Sequence, residues 1–313
     1  MPAPRIERLG PDLAGAVAEF LAARTASLPY SAGLTPKLVR ERLTAHPLRA
    51  EATALVALEG SRPVGYLHGS PRPAPGGDDA DLSVGVVNLL LFDEGTDEAG
   101  DALLGAALDE FRARGASSAD AMTASGGYPF FRGLFCGAEP ALPADLPHVA
   151  RALERSAFSV RSDLVLLSCR TGDAPPGSGP SPSDGGGLEI STAATKLAGL
   201  WQRSSWRGMT PRTASATLGG EAAGRIVFAM LPGVHSGARD AVGAVAELSV
   251  RADLRRRGIG RALIAAALGE MRSAGAAEVI VTAEADSEAA LAAYSSCGFR
   301  TALAMASFRR LIL

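Results

Sequence analysis

The densest positive charge in the chain meets two glycines at the start of a predicted helix. Residues 254–264 read LRRRGIGRALI, and the groups of interest are Arg255, Arg256, Arg257, Gly258, Ile259, Gly260 and Arg261. The first amides of a helix lack internal acceptors, and the helix dipole adds partial positive charge at the same end. Glycine lets the backbone approach a phosphate closely. The spacing therefore predicts a phosphate-binding turn, with an ordinary basic surface turn as the alternative.

Two common phosphate motifs do not describe this turn. No Gly-Lys-Ser/Thr follows the glycines, so the turn is not a Walker loop, and the third glycine of the dinucleotide fingerprint is missing from its register. The three cysteines and four histidines lack metal-ligand spacing, so we predict no metal site.

The elements that must position this turn can be predicted from the pattern around it. A hairpin over 213–231 is predicted to turn at Gly219-Gly220, and a strand over 243–250 runs into the glycine–arginine segment. A helix over 258–274, a strand over 278–284, a helix over 287–296 and a last strand complete the order. Strands come first and then alternate with helices. This order predicts an α/β (α+β layered) domain with a mixed central sheet flanked by helices.

A second motif makes the pattern more specific. Residues 289–300 read AALAAYSSCGFR, which places Tyr294 and Gly298-Phe299 near the end of the predicted helix. Arg255-x-x-Gly258-x-Gly260 followed by this helix end resembles the GNAT family of N-acetyltransferases. The resemblance is good over 243–300 and weaker over 187–242.

The resemblance implies a donor and the residues that bind it. The family uses acetyl-coenzyme A or another acyl-coenzyme A as co-substrate, and backbone amides around Arg257 to Arg261 are expected to hold its pyrophosphate. The strand at Leu248, Ser249 and Val250 is expected to pair with the pantetheine arm, and Ser287 and Ala290 to line the same cofactor. Serine replaces the asparagine that the family commonly has at 287, which weakens that contact.

Acyl transfer to an amine needs a leaving-group acid and a neutral amine. Tyr294 is expected near the thioester sulfur, and its phenol is protonated at neutral pH. A free alkylamine has a pKa of about 10.4, so a base is useful. Glu247 is the first candidate, directly or through a water, although it also fits a solvent-facing residue paired with an arginine. Glu284 and His235 are weaker candidates.

An internal repeat divides the chain. Residues 100–116 align without a gap on 260–276, with identities at ten of seventeen positions. Extending the alignment backwards sets the acidic segment 93–101, DEGTDEAGD, opposite the arginines. Carboxylates repel a pyrophosphate. We therefore predict that the first copy kept the scaffold and lost the cofactor.

The predicted domains are 1–170, a degenerate GNAT-like domain, and 188–313, the acetyl-coenzyme A-binding domain. A Pro/Gly/Ser linker, 171–187, joins them. Tandem members of this kind are known in the family. The aromatic segment YPFFRGLFCG (128–137) is either a core plug or a wall of the acceptor pocket, and Trp201 and Trp206 are either acceptor contacts or core residues.

Composition restricts the partners. Residues 1–170 carry 16 Lys/Arg against 21 Asp/Glu, whereas 188–313 carry 15 against 10, so the second half suits an anionic ligand better. A formal net charge of −2 argues against a general nucleic-acid binder. The sequence has no predicted membrane span or signal peptide. We expect a cytoplasmic N-acetyltransferase of a small-molecule amine, monomeric as an internal pseudo-dimer. A protein N-terminal or lysine acetyltransferase and a non-catalytic acyl-coenzyme A sensor are the alternatives.

Overall fold

The chain divides into two compact units. The computed structural model describes residues 3–31, 35–74, 79–123, 130–137, 139, 141–173, 187–236 and 240–312. Unit 1 comprises Met1–Asp163, Leu197–Arg207 and Met305–Leu313, and unit 2 comprises Leu164–Lys196 and Gly208–Ala304.

Unit 1 is a mixed sheet with helices packed against it. Its strands follow the order β1-β2-β3-β4-β5-β13, and only β4 and β5 pair in parallel. The elements are β1 (Arg5–Arg8), α1 (Ala14–Thr25), α2 (Pro36–Val39), a π-helical turn (Arg40–Thr44), a 3-10 turn (Arg49–Glu51), β2 (Thr53–Glu59), β3 (Arg62–Pro73), β4 (Ala80–Phe92), α3 (Asp97–Ala113), β5 (Ser118–Ala121), β6 (Leu142–Pro143), α4 (Pro147–Arg155), the start of β7 (Ser159–Arg170), α5 (Leu200–Ser205) and the end of β13 (Arg300–Leu311).

Unit 2 repeats this layout. Its strands follow the order β7-β12-β11-β10-β9-β8, with β11 and β12 as the parallel pair. The elements are β8 (Leu188–Ala194), β9 (Arg212–Leu218), β10 (Glu221–Ser236), β11 (Asp240–Val250), a 3-10 turn (Ala252–Leu254), α6 (Ile259–Ser273), β12 (Glu278–Glu284) and α7 (Glu288–Ser295). The mixed α/β fold expected from the sequence is confirmed.

Equivalent glycines seat the main helix of each unit on its central strand. A Cβ at Gly243 would come within 2.5 Å of the Met271 sulfur, and a Cβ at Gly85 within 2.3 Å of the Phe111 ring. Met271 and Phe111 occupy matching positions in the sequence repeat. The same close helix–strand packing in both units supports duplication.

The two repeats exchange their terminal strands. In unit 2, β12 pairs with β7 from Glu278↔Arg170 to Glu284↔Leu164. In unit 1, β5 pairs with β13 from Ser118↔Leu311 to Ala121↔Phe308. Each sheet is thus completed by the last strand of the other repeat. The units therefore differ from the contiguous segments 1–170 and 188–313, and linker residues 174–186 lie outside the described residues.

Most predicted elements of the second repeat lie where the pattern placed them. The hairpin turns at Gly219 and Gly220, whose φ angles are +60° and +84°, as a two-residue turn with two left-handed positions requires. β12 has the predicted bounds, 278–284. The amino-terminal helices α1 and α2 and the strand β8 were not predicted.

Candidate functional site

The central feature of unit 2 is a gap between its two parallel strands. β11 and β12 pair only from Val242↔Glu278 to Val245↔Val281. Beyond that point β11 remains paired with β10 as far as Val250, and β12 remains paired with β7 as far as Glu284. The facing edges of 246–250 and 282–284 are therefore free of each other. We call this gap the β11–β12 opening.

A bulge and a glycine shape the β11 side of this opening. The β10–β11 register shifts between Val227↔Glu247 and Phe228↔Val245, which leaves Ala246 as the extra residue. A Cβ at Gly224 would lie 2.7 Å from the carbonyl oxygen of Ser249, so only glycine allows β10 this close. Leu248 and Val250 pack against the core below α6, whereas Ser249 is exposed.

The glycine–arginine turn, residues 255–261, lies at the end of β11. Gly258 has φ +80° and precedes the first residue of α6, Ile259. Arg256 has φ +67°, a left-handed conformation that costs a non-glycine residue roughly 1 kcal/mol or more. No side chain caps the helix, so its first amides remain directed out of the turn. A Cβ at Gly260 would meet only Val250, at 3.7 Å.

The turn carries positive charge that no described carboxylate pairs at close range, although Asp253 interacts electrostatically with Arg257 from a distance. Arg255, Arg256, Arg257 and Arg261 are all exposed, and none forms an ion pair with a carboxylate among the described residues. The Nε of Arg255 donates to the carbonyl of Val250 at 3.3 Å. By contrast, Arg251 is paired with Glu221 and Asp253. Ile259 is buried, so only its backbone faces the turn.

Tyr294 lies on the α6 side of the sheet. It is 4% exposed, belongs to the core cluster of unit 2, and packs edge-on against Phe299 with the ring centroids 5.3 Å apart. Burial raises the pKa of Tyr294 above the ordinary phenol value, with the nearby Cys297 thiol adding to the shift. The phenol therefore stays protonated at neutral pH and makes no hydrogen bond to a described residue.

Ser287 and Ala290 lie at the start of α7, as the sequence predicts. Ser287 occupies the N-cap position, but its side chain makes no capping hydrogen bond, contrary to the role expected for a serine there. Its backbone amide donates to the Glu284 carbonyl at 3.1 Å. Ala290 is half-buried against the core.

Glu247 points away from Tyr294, to the opposite face of the sheet. Its side chain is 47% exposed and accepts from Arg225 at 2.7 Å, the arrangement that the sequence left open as the alternative to a base. Glu284 is exposed at the end of β12. The side chain of His235 lies outside the described residues. Two carboxylates thus flank the opening.

Thr282 is a feature that the sequence analysis missed. It is the first residue of β12 beyond the parallel pairing, and its hydroxyl is buried without a hydrogen-bond partner among the described residues. A threonine in a strand carries no sequence signal for this. A buried, unpaired hydroxyl at the edge of the β11–β12 opening fits a ligand with polar groups.

The aromatic residues considered as acceptor contacts are buried. Trp201 and Trp206 are 4% and 7% exposed, and α5, which carries Trp201, belongs to unit 1. The described part of YPFFRGLFCG, 130–137, is also buried. Residues 128 and 129 lie outside the described residues.

The first repeat has a shorter loop where the second has the glycine–arginine turn. β4 ends at Phe92 and β11 at Val250, and the helix residues aligned by sequence are Ala99 and Ile259. Six residues, 93–98, therefore stand where the second repeat has eight, 251–258. Moreover, α3 begins at Asp97, two residues before the aligned start of α6. The alignment of the two helices is gapless, but extending it into the preceding loop requires a two-residue deletion in the first repeat.

Three aspartates of the acidic segment 93–101 are paired with arginines of the same unit. Asp93 accepts from Arg24 at 2.7 Å and from Arg62 at 3.0 Å. Arg155 of α4 pairs with both Asp97 and Asp101. The loop is thus a structural ion-pair network.

The phenol has no counterpart in unit 1. Phe158 donates its amide to the Leu153 carbonyl, as Phe299 does to the Tyr294 carbonyl. Both contacts lie between a helix and the exchanged strand that follows it, and Ala157 and Gly298 share a positive φ. Leu153 therefore stands at the position of Tyr294.

The described residues contain no group of histidine, cysteine, aspartate or glutamate side chains arranged to hold a metal ion. None of their helices has the length and apolar character needed to cross a membrane.

Comparisons with known proteins agree with this geometry. Residues 191–299 match the model of the acetyltransferase (GNAT) family. The chain matches no curated protein sequence. Among solved structures it is similar to a tandem GNAT protein from the clavulanic acid biosynthesis pathway, with TM-score 0.68 and 17% identity over 99% of each chain.

Two other structures share the fold. A GCN5-related N-acetyltransferase from Sphaerobacter thermophilus has TM-score 0.65 and 15% identity, covering 100% of this chain and 96% of the other. A glucosamine N-acetyltransferase region of a fungal β-N-acetylglucosaminidase has TM-score 0.67 and 16% identity, covering 99% of this chain and 38% of the other.

Proposed function

We propose that this chain is a GNAT-type acyltransferase with two tandem domains and that its second half transfers an acetyl group from acetyl-coenzyme A to the amine of a small molecule. The observation that carries the proposal is the conjunction of the β11–β12 opening, the glycine–arginine turn and Tyr294. The first repeat has a shortened acidic loop in place of the glycine–arginine turn and a leucine in place of Tyr294.

The donor fits the residues that surround the opening. The turn offers free helix amides, two left-handed backbone positions and four unpaired arginines, which suit a pyrophosphate. The unpaired edge at Leu248, Ser249 and Val250 suits an extended amide-bearing chain. When bound, the donor supplies an activated acyl group as a thioester. Another acyl-coenzyme A fits the same description.

The acceptor amine must lose a proton for the attack. Glu247 is the base we propose, directly or through a water, because it lies beside the bulge on the face opposite Tyr294. Its ion pair with Arg225 orients the carboxylate. Holding an amine in line supplies several kcal/mol of the barrier reduction.

In this proposal Tyr294 serves the leaving group from the other face of the sheet. Its pKa is raised by burial, so it remains a proton donor throughout the neutral range. A general acid of this kind contributes about 10²–10⁴ in rate. Acid and base thus act from opposite sides of one opening.

We further propose that the protein is cytoplasmic and acts as a single chain without nucleic-acid or membrane partners. The three described cysteines are free and buried, which suits a reducing compartment. Because each repeat supplies the last strand of the other repeat's sheet, the two repeats complete each other within one chain.

Thiol release from acetyl-coenzyme A, measured with a panel of amines, tests the proposed activity. The panel includes amino sugars, amino acids and aminoglycosides, with lysine-bearing and free N-terminal peptides as a separate arm. We expect release with at least one small amine and loss of that release in Tyr294→Phe. Release with peptides only would favour the protein acetyltransferase, and donor binding without release by any amine would favour the sensor.

A further inference from the structure

Unit 1 contains buried arginine groups that its own residues leave without partners. Arg42 is 5% exposed, and its Nη1 nitrogen makes no hydrogen bond to any described residue. Arg132 is 3% exposed, and its Nε is likewise unpartnered. A buried guanidinium without acceptors is costly, so such groups normally indicate a missing partner.

Arg42 is directed inward by an unusual backbone. It lies in the π-helical turn Arg40–Thr44, where the amide of Ala45 donates to the Arg40 carbonyl at 2.7 Å. The turn buries the consecutive residues Arg42 and Leu43. Such turns occur frequently at functional sites. Burial lowers the pKa of Arg42, and the positive charge of Arg207 lowers it further.

Arg132 has an ion-pair partner and an aromatic neighbour, but not every N–H group of its guanidinium has a hydrogen-bond acceptor. It forms a buried ion pair with Glu139, and its guanidinium carbon lies 4.3 Å from the centre of the Trp206 ring. Burial raises the pKa of Glu139 to about 7, which the nearby Arg132 partly opposes. Glu139 therefore pairs with Arg132 and is not a hydrogen-bond partner of the unpartnered Arg42 nitrogen.

Two contacts bring the segments of Arg42 and Arg132 together. The His46 ring, one turn after Arg42, packs 4.5 Å from Phe130, two residues before Arg132. On the other side, Trp206 touches Arg132, and its neighbour Arg207 acts electrostatically on Arg42. All these residues belong to unit 1.

We propose that unit 1 binds a small anion through Arg42 and Arg132, with Trp206 supporting the Arg132 guanidinium. The ligand bears carboxylate or phosphate oxygens, because planar guanidinium groups recognise both. Arg42, Arg132 and Arg207 carry three positive charges against the two negative charges of Glu41 and Glu139, so an anion compensates the cluster where a neutral ligand does not. The site is separate from the glycine–arginine turn and does not depend on acetyl transfer.

Thermal unfolding and calorimetric titration with sodium malonate and sodium phosphate test the site, at constant ionic strength and with chloride as the reference. The full chain carries Gly260→Glu throughout, so that the glycine–arginine turn does not contribute. We expect one of the two anions to raise the unfolding temperature by roughly 2–4 °C at about ten times its Kd. The anion that does so identifies the chemistry of the ligand.

Variants locate the effect. Arg42→Met is expected to abolish the anion-dependent shift, whereas Arg40→Met, on the exposed side of the same turn, keeps it. Arg132→Lys retains a charge opposite Glu139 but loses the planar donors, so the anion Kd should rise at least tenfold. This second variant also decides the question if Arg42→Met does not fold. No shift with either anion, or a full shift retained in the variants, would overturn the proposal.

Discussion

At the residue scale, the phenol of Tyr294 distinguishes the two repeats most sharply. Replacing Tyr294 with phenylalanine removes only the hydroxyl group and keeps the packing of the ring on Phe299. Tyr294→Phe is therefore expected to lower kcat about 10²-fold with little change in the KM for acetyl-coenzyme A.

The control for that variant is Tyr66→Phe, which deletes another buried phenol, in unit 1. Steady-state kinetics of both variants make the comparison. Equal loss of kcat in the two variants, or no loss in Tyr294→Phe, would contradict the role of Tyr294.

The second residue-scale prediction concerns the base. Glu247→Gln keeps the size of the side chain and removes the charge that pairs with Arg225. We expect kcat/KM for the amine to fall at least tenfold, since a general base typically contributes more than that.

Two neighbours serve as controls for Glu247. Arg225→Gln removes the same ion pair from the other side and should retain most of the activity, and Glu284→Gln should be near wild type. If Arg225→Gln loses as much as Glu247→Gln, Glu247 acts as a structural partner only.

A buried histidine is expected to make the stability of unit 1 fall on acidification. His68 is 0% exposed, its Nδ1 lies 2.9 Å from the Tyr66 hydroxyl, and burial lowers its pKa to about 3, with repulsion from His46 adding to the shift. The folded state therefore excludes a proton that the unfolded chain takes up below pH 6.5. The contribution of neutral His68 to the free energy of unfolding is fully present above pH 6.5. It falls by up to about 1.4 kcal/mol per pH unit between pH 6.5 and pH 3.

Urea unfolding at pH 7.5 and pH 5 tests this. The wild type should lose stability on acidification through His68, and His68→Gln should show a flatter pH dependence although it is less stable at pH 7.5. An unchanged slope in the variant would show that other groups control the acid transition.

At the element scale, the exchanged strands decide which segments can fold. β7 supplies Leu167 and Cys169 to the core of unit 2, whereas β13 pairs with β5 of unit 1. A fragment of residues 188–313 lacks the first and keeps the second. We expect it to expose the β12 edge and to aggregate or remain unfolded.

The matched fragment, 164–304, contains the part of β7 that belongs to unit 2 and ends before the part of β13 that belongs to unit 1. It should show a cooperative thermal transition by circular dichroism. Cooperative folding of 188–313 together with failure of 164–304 would contradict the exchange.

Local elements were predictable because their signals are local. The Gly219-Gly220 hairpin, β12 and the helix after the glycines each follow from residue types within a short window. The exchange of β7 and β13 was not predictable, because both strands have the same pattern and their partners are distant in sequence. The two-residue deletion in the first repeat was not predictable either, because the helix sequences can be aligned backwards into the loop without any mismatch that requires a gap.

Within the site, the turn and Tyr294 could be placed from sequence, whereas their environment could not. The pairing of Glu247 with Arg225 depends on the register across the bulge at Ala246. The unpartnered Thr282 hydroxyl depends on where two parallel strands separate.

At the scale of the whole molecule, the central claim is that a duplicated chain kept one donor site and lost the other. Asp93, Asp97 and Asp101 are bound to arginines of unit 1 where the second repeat leaves four arginines unpaired. The helix forms with either charge, so the arginines of the second repeat are not needed for folding. We propose that a bound ligand explains them.

Calorimetric titration of the full chain with acetyl-coenzyme A tests this claim most directly, using Gly260→Glu and, as the control, Gly269→Glu on the same helix, where a side chain meets nothing within 4 Å. We predict one donor per chain for the wild type, at least tenfold weaker binding for Gly260→Glu and unchanged binding for Gly269→Glu. Two donors per chain, or equal affinity in the wild type and Gly260→Glu, would contradict it.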